Sequence, residues 1–168
     1  MNEFSLRNMS ILITGGGSGI GLGAAKYFLE LGAKVTICGR RESKIKAATD
    51  SLGSNVLGLV GDVTVGSDRE RLVEAAVGHG KGLDVLINNA GIADARGVAA
   101  EQFDSETFNR ILGVDLIGAF YFARDCGRHM LERGSGAIVN ICSIMASGGN
   151  ENNVIGYTAA KGGLLNMT

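Results

Sequence analysis

The sequence has 168 residues, of which 45% are hydrophobic and 20% are charged. Its 16 basic and 17 acidic side chains leave a net charge of -1, which argues against nucleic acid and membrane surfaces as partners. The composition also excludes a disordered or collagen-like chain and predicts one globular domain over residues 1–168.

Short apolar runs alternate with helical patterns along the whole chain. The runs predict buried strands over Met9–Ile13, Lys34–Ile37, Val56–Val60, Leu83–Ile87 and Ala137–Ile141. Helices are predicted over Gly19–Leu31, over Arg41–Leu52, from a Ser67 capping box with Glu70, and from about Asp104 to Glu132. This alternation predicts an α/β fold, a doubly wound parallel sheet in the order 3-2-1-4-5 with helices on both faces.

A glycine-rich turn follows the first predicted strand and begins the first helix. It reads Thr14-Gly-Gly-Gly-Ser-Gly-Ile-Gly21, so Gly15, Gly19 and Gly21 are spaced as TGxxxGxG around Ser18 and Ile20. Glycines without Cβ let the backbone approach a pyrophosphate, and a helix N-terminus attracts that anion. The turn predicts a dinucleotide site, with a flexible glycine loop as the alternative.

Two arginines, Arg40 and Arg41, follow the second strand, where an acidic residue would bind the ribose hydroxyls of NAD. A guanidinium can pair with the 2′-phosphate of NADP. NADP is therefore the favoured cofactor and NAD the alternative. A solvated first helical turn would also explain both arginines.

The ends of the third and fourth strands carry further candidates. Asp62, beside Val63, can accept a hydrogen bond from an adenine amino group or can simply form a turn. The Asn88-Asn89-Ala90-Gly91 turn can tie adjacent strands together with its amides, while its small residues let a cofactor lie flat. By itself this segment too would pass for an ordinary turn.

Tyr157 and Lys161 are four residues apart, so on a helix they share one face. The lysine charge would stabilise the phenolate of Tyr157 and allow it to exchange a proton near neutral pH. Ser143, just after the last strand, could donate to an oxygen on which negative charge develops. A packed tyrosine and a surface lysine are the structural alternative.

Together these segments resemble the short-chain dehydrogenase/reductase family over nearly the whole chain. The resemblance rests on TGxxxGxG, Asp62-Val63, Asn88–Gly91, Ser143 and Tyr157-x-x-x-Lys161 in the family order. It implies a Rossmann-type oxidoreductase that interconverts an alcohol and a carbonyl with NAD(P)(H) and forms a homodimer or homotetramer. The implied catalytic residues are Ser143, Tyr157 and Lys161, with Asp115 at the family's fourth catalytic position predicted as the fourth. The implied cofactor residues are Gly15, Ser18, Gly19, Ile20, Gly21, Arg40, Arg41, Asp62, Val63, Asn89, Ala90, Gly91, Tyr157 and Lys161.

One residue departs from the family pattern. Asp115 stands where the family has a catalytic asparagine, on the apolar face of its predicted helix. A buried carboxylate needs a partner. We expect Asp115 to accept from a water that leads to Lys161 and to stabilise the protonated lysine. The alternative partner is backbone at a helix bend.

The predicted Tyr157 helix runs to Thr168 with no stop signal, and the family continues through further strands. Strand Ala137–Ile141 is then expected to be an apolar sheet edge. We therefore expect a truncated domain, with a partner that covers this edge as the alternative. The alternative to an active enzyme is a catalytically poor nucleotide-binding or oligomerising fragment.

The three cysteines, Cys38, Cys126 and Cys142, form no CxxC pair, which argues against a disulfide framework or a zinc site. No metal ligands are predicted. Without a long apolar run or a signal-peptide pattern, the sequence predicts a cytoplasmic protein. Asp94 and Arg96 suggest a polar substrate.

Overall fold

A five-stranded parallel sheet forms the centre of the computed structural model, which describes residues 5–93, 98–148 and 154–168. The strands are β1 (Ser10–Thr14), β2 (Lys34–Gly39), β3 (Val56–Val60), β4 (Val85–Asn88) and β5 (Ala137–Asn140). Their order, β3-β2-β1-β4-β5, confirms the prediction. Because every strand runs in the same direction, the carboxyl ends of all five meet at one edge.

Helices connect the strands. They are α1 (Gly19–Glu30), α2 (Glu42–Leu52), α3 (Gly66–Gly80), α4 (Ser105–Leu112), α5 (Ala119–Arg133) and α6 (Ile155–Asn166). The predicted long helix begins as expected, since the Asp104 carboxylate caps it by accepting from the Thr107 N–H at 2.7 Å. Between α4 and α5 the helix widens into a π-helical segment, Gly113–Gly118, which the periodicity did not indicate.

The predicted Ser67 capping box is wrong. A turn in which the Val65 N–H donates to the Asp62 carbonyl precedes α3, so the helix begins at Gly66 and its N-cap is Val65. Ser67 therefore lies inside the first turn. The nearby Asp68 carboxylate instead accepts from the Asp62 N–H at 2.8 Å.

Alternate residues of β1 enter two separate cores, as expected for a strand covered on both faces. Leu12 joins the core against α3 and α5, whereas Ile11 and Ile13 join the core against α1 and α2. Burial raises the pKa of the Cys38 thiol to about 12, and burial raises the pKa of Cys126 as well. Both cysteines therefore serve as core residues.

Strand β5 forms one edge of the sheet, beside β4. Ile138 is 37% exposed and Val139 is 44% exposed. The expected apolar edge is thus present within the described residues.

Candidate active site

The glycine-rich turn leaves β1 with its backbone bent into the left-handed region. Gly15 has φ +68° and Gly19, the first residue of α1, has φ +55°, a conformation that favours glycine. A Cβ on Gly21 would lie 2.5 Å from Asn89 Nδ2 and 2.7 Å from the Gly15 carbonyl oxygen. These glycines therefore let the turn lie directly against the end of β4.

Asn89 and Thr14 fasten this turn to the neighbouring strand. Asn89 Nδ2 donates to the carbonyl oxygens of Thr14 at 2.9 Å and Gly15 at 3.2 Å. The Thr14 hydroxyl accepts from the N–H groups of Asn89 and Ala90, each at 3.0 Å. The predicted tie between adjacent strands is therefore present, and Asn88 adds a second one by donating to Asn140 Oδ1 at 3.0 Å.

A cleft of about 470 Å³ opens above the carboxyl ends of the strands, within the range of about 300–1,000 Å³ found for ligand sites. Most of the predicted cofactor residues line it: Gly15, Ser18, Arg40, Arg41, Val63, Asn89, Ala90 and Gly91. Ile20 is 69% exposed on the first turn of α1, and Gly21 is buried beneath the glycine turn. A cradle of bare backbone beside a helix N-terminus fits a pyrophosphate.

Positively charged side chains stand at one wall of the cleft. Arg41 is the N-cap residue of α2, and its guanidinium donates to Ser18 Oγ at 3.4 Å. Arg40 instead pairs with Asp62 across 3.6 Å. Lys44, one turn into α2, also lines the cleft. The sequence reading missed Lys44, although its helical spacing from Arg41 could have indicated it.

Val63 lines the cleft, and Asp62 beside it lies within 3.6 Å of Arg40. Asp62 Oδ1 accepts from the Thr64 N–H at 2.9 Å and from the Thr64 hydroxyl at 2.8 Å. Asp62 therefore stabilises a turn, one of the two roles considered for it. The Asp62 N–H, with Arg71 beside it, holds the pKa of Asp68 below its usual range. No local sequence pattern indicates the contact between the Asp62 N–H and the Asp68 carboxylate.

Tyr157 and Lys161 occupy one face of α6, as their spacing predicts. Lys161 is only 4% exposed, which excludes the alternative of a surface lysine. Its Nζ donates to the Ile141 carbonyl at 3.0 Å and lies 5.6 Å from the centroid of the Tyr157 ring. The backbone contact with Ile141 carries no sequence signal.

Ser143 leaves β5 beside this helix. Its Oγ accepts from the Met145 N–H at 3.2 Å, a bond that does not use the hydroxyl proton. The same segment packs along α6, where Cys142 Sγ donates to the Lys161 carbonyl at 3.3 Å. The Ser143 segment and the Tyr157 helix are thus brought together.

Asp115 lies on the π-helical segment and is fully buried, as the sequence predicts. Its Oδ2 is 3.4 Å from Lys161 Nζ, and its Oδ1 accepts from the Ile92 N–H at 2.8 Å. The expected water between Asp115 and Lys161 is wrong, because the two charges are in direct contact. A π-helical turn commonly marks a functional site.

Within the described ranges, no three His, Cys, Asp or Glu side chains converge as a metal site. In the same part of the chain, no helix combines the length and apolar character needed to cross a bilayer. Asp94 and Arg96 lie outside the described residues.

Known proteins share both the sequence and the fold. A protein of Arabidopsis thaliana named short-chain dehydrogenase reductase 3c is 38% identical over 99% of this chain and 64% of its own length. Gluconate 5-dehydrogenase of Gluconobacter oxydans is 34% identical over 98% of this chain and 64% of its own. The chain thus spans about 64% of the length of these relatives.

Among solved structures, 3-ketoacyl-(acyl-carrier-protein) reductase from Brucella melitensis complexed with NADH superposes with a TM-score of 0.93 at 34% identity. The match covers 98% of this chain and 69% of that one. The family model described as short chain dehydrogenase matches residues 9–168. Motifs, sheet order and relatives therefore agree that the chain belongs to the short-chain dehydrogenase family.

Proposed function

We propose that this protein is an NADP(H)-dependent oxidoreductase that interconverts an alcohol and a ketone or aldehyde. The proposal rests on how the candidate catalytic residues are arranged relative to the cleft. The Tyr157–Lys161 face of α6 and the Ser143 segment stand together, while Asp115 joins Lys161 to Ile92 in the wall of the glycine-lined cleft. A nicotinamide cofactor supplies or accepts the hydride when it is bound.

Three side chains transfer the proton and stabilise the negative charge that develops on oxygen. The Tyr157 hydroxyl donates a proton to the carbonyl oxygen during reduction and accepts one from the alcohol during oxidation. The buried Lys161 ammonium stabilises the phenolate form of Tyr157. The Ser143 hydroxyl donates to the substrate oxygen. Its proton is available for this bond because the hydrogen bond from the Met145 N–H uses only a lone pair of Oγ.

We assign the cofactor phosphates to two parts of the cleft. The backbone from Gly15 to Gly19 would hold the pyrophosphate. Arg41 and Lys44 would hold the 2′-phosphate of NADP, since Asp62 partly offsets the charge of Arg40. NAD is the alternative cofactor.

Replacing Arg41 with alanine is expected to weaken NADPH binding about 10- to 100-fold, the value of a charge-assisted contact of about 1.5–3 kcal/mol. NADH binding should change less than twofold, because NADH has no 2′-phosphate. Fluorescence titration of both cofactors checks this. Lys46→Ala is the control, since Lys46 pairs with Asp50 on the exposed side of α2. Equal losses for NADPH and NADH would contradict the assignment.

We also propose that the protein forms a homodimer or homotetramer in the cytoplasm. Phe120 is 47% exposed and Leu131 is 82% exposed, and their spacing of three helical turns places both on one face of α5. Phe120→Glu is expected to reduce the oligomer mass measured by light scattering. A wild-type monomer would contradict the proposal.

The three cysteines are free, which supports a reducing compartment such as the cytoplasm.

NADPH titration of the purified protein, followed by a panel of small carbonyl substrates, tests the function. Binding with substrate-dependent oxidation of NADPH is the expected result. Binding without turnover, unchanged by Tyr157→Phe, would favour the alternative of a nucleotide-binding or oligomerising fragment. If neither NADPH nor NADH bound, both the oxidoreductase and the nucleotide-binding fragment would be contradicted.

A further inference from the structure

Arg69 is a buried arginine in a place where the fold gives a cation little support. It is 8% exposed and lies in the first turn of α3, where the helix dipole disfavours a positive charge. Burial also removes its guanidinium from water, at a cost that only specific partners offset. The partners of Arg69 therefore indicate what this side chain does.

One partner belongs to the cofactor cleft. Arg69 Nη1 donates to the Val63 carbonyl at 3.0 Å, and Val63 lines the cleft. Val63 is itself buried and packs directly on the π-helical segment, since a Cβ on Gly118 would lie 2.9 Å from Val63 Cγ2 and 3.2 Å from the Val63 carbonyl oxygen. The guanidinium thus holds this part of the cleft wall through its backbone.

The other partners of Arg69 lie on α5. Its guanidinium carbon is 4.7 Å from the centroid of the Tyr121 ring, a cation–π distance. Arg69 Nε is 3.8 Å from Asp125 Oδ2, which is too long for a hydrogen bond but keeps the two charges in contact. Because Tyr121 and Asp125 are four residues apart on one helix, both contacts come from the same face of α5.

Three different interactions therefore meet at one side chain. The flat guanidinium suits the Tyr121 ring, its charge suits Asp125, and its directed N–H groups suit the Val63 carbonyl. Lysine has neither the flat face nor the fixed set of donors. The arrangement connects α5 to the wall of the cleft through a single arginine.

The Val63 wall adjoins the site assigned to the 2′-phosphate. Asp62, which precedes Val63, lies 3.6 Å from Arg40, and Arg40 and Arg41 both line the cleft. The adenosine of NADP carries the 2′-phosphate, so an apolar wall beside that phosphate would contact the adenine ring.

We propose that Arg69 is a positioning residue that fixes the Val63 wall to α5 and thereby sets the affinity for the adenosine half of the cofactor. The inference rests on the proposed function, because it requires a nucleotide in the cleft. The effect of Arg69 falls on cofactor binding and leaves proton transfer unchanged.

The test is Arg69→Met, because methionine is unbranched and flexible and has neither the charge nor the donors. Asp125 keeps its ion pair with Arg124 at 2.8 Å, so its charge stays neutralised. We expect the Kd for NADPH to rise about five- to tenfold, and the Kd for adenosine 2′,5′-bisphosphate, which lacks the nicotinamide half, to rise by the same factor. At saturating NADPH, kcat should stay within about twofold of wild type.

Arg124→Met is the matched control. Arg124 also lies against the Tyr121 ring, at 4.8 Å, but its Nε donates to Asp125 rather than to the Val63 carbonyl. Both Kd values should therefore stay within about twofold of wild type. Urea unfolding measures the folded fraction of each variant, and each Kd is corrected by it, because a partly unfolded protein raises the apparent Kd in proportion.

An Arg69→Met protein with wild-type Kd values for both ligands would overturn the inference, and so would an equal loss in Arg124→Met. A loss for NADPH alone would assign the effect to the nicotinamide half and would also overturn it. If the wild-type protein bound both ligands without turnover, the proposed reaction would fail, and the Kd comparison would still decide the role of Arg69. If the wild-type protein bound neither ligand, the proposed function and this inference would fail together.

Discussion

Tyr157→Phe is expected to lower kcat by about 10²–10⁴-fold, the usual contribution of general acid–base catalysis. The change removes one hydroxyl from the face of α6 that also carries Lys161, and it leaves the aromatic ring in place. NADPH affinity should therefore stay within about threefold of wild type, since the loss is confined to the proton-transfer step. Steady-state kinetics and fluorescence titration measure the two effects separately.

Tyr27→Phe provides the matched control. Tyr27 is 56% exposed on α1 and packs near Phe28, away from the cleft. Its kcat should equal that of wild type. A Tyr157→Phe enzyme that retained most of its activity would mean that another group supplies the proton.

Gly21→Ala is expected to weaken cofactor binding at least tenfold. Its new methyl group would meet Asn89 Nδ2 and the Gly15 carbonyl, and this would push the glycine turn away from β4. Overpacking of this kind costs about 1–3 kcal/mol. Both the unfolding free energy and the Kd for NADPH should report the change.

Gly23→Ala tests whether any alanine on α1 weakens cofactor binding, or only one that meets Asn89 and the Gly15 carbonyl. Gly23 lies on the same helix, and a Cβ there would have nothing within 4 Å. Because alanine favours helix over glycine, stability should rise by up to about 1 kcal/mol with unchanged binding. Equal behaviour of the two variants would contradict the packing of the turn described above.

The sheet was predictable because its strands are apolar on both faces. The alternation of Ile11, Leu12 and Ile13 between two cores requires a covered strand, and such strands produce the continuous runs visible in the sequence. The TGxxxGxG turn was predictable for a similar reason. Its positive φ angles and close approach to Asn89 each require glycine.

Other features depend on contacts that no local pattern encodes. The capping prediction at Ser67 was wrong because a preceding turn begins α3 two residues earlier, with Val65 as the N-cap. The π-helical segment leaves the apolar periodicity almost unchanged, so only the fold reveals it. That Asp115 would be buried followed from its helical position. Its direct contact with Lys161 did not, because the two residues lie on elements that meet only in the folded chain.

A structure of the protein with bound NADPH tests the central claim most directly. We predict the pyrophosphate on the backbone of Gly15–Gly19, the 2′-phosphate beside Arg41, and the nicotinamide next to Tyr157 and Lys161. A cofactor bound outside the glycine-lined cleft, or a nicotinamide far from the Tyr157 hydroxyl, would contradict the account.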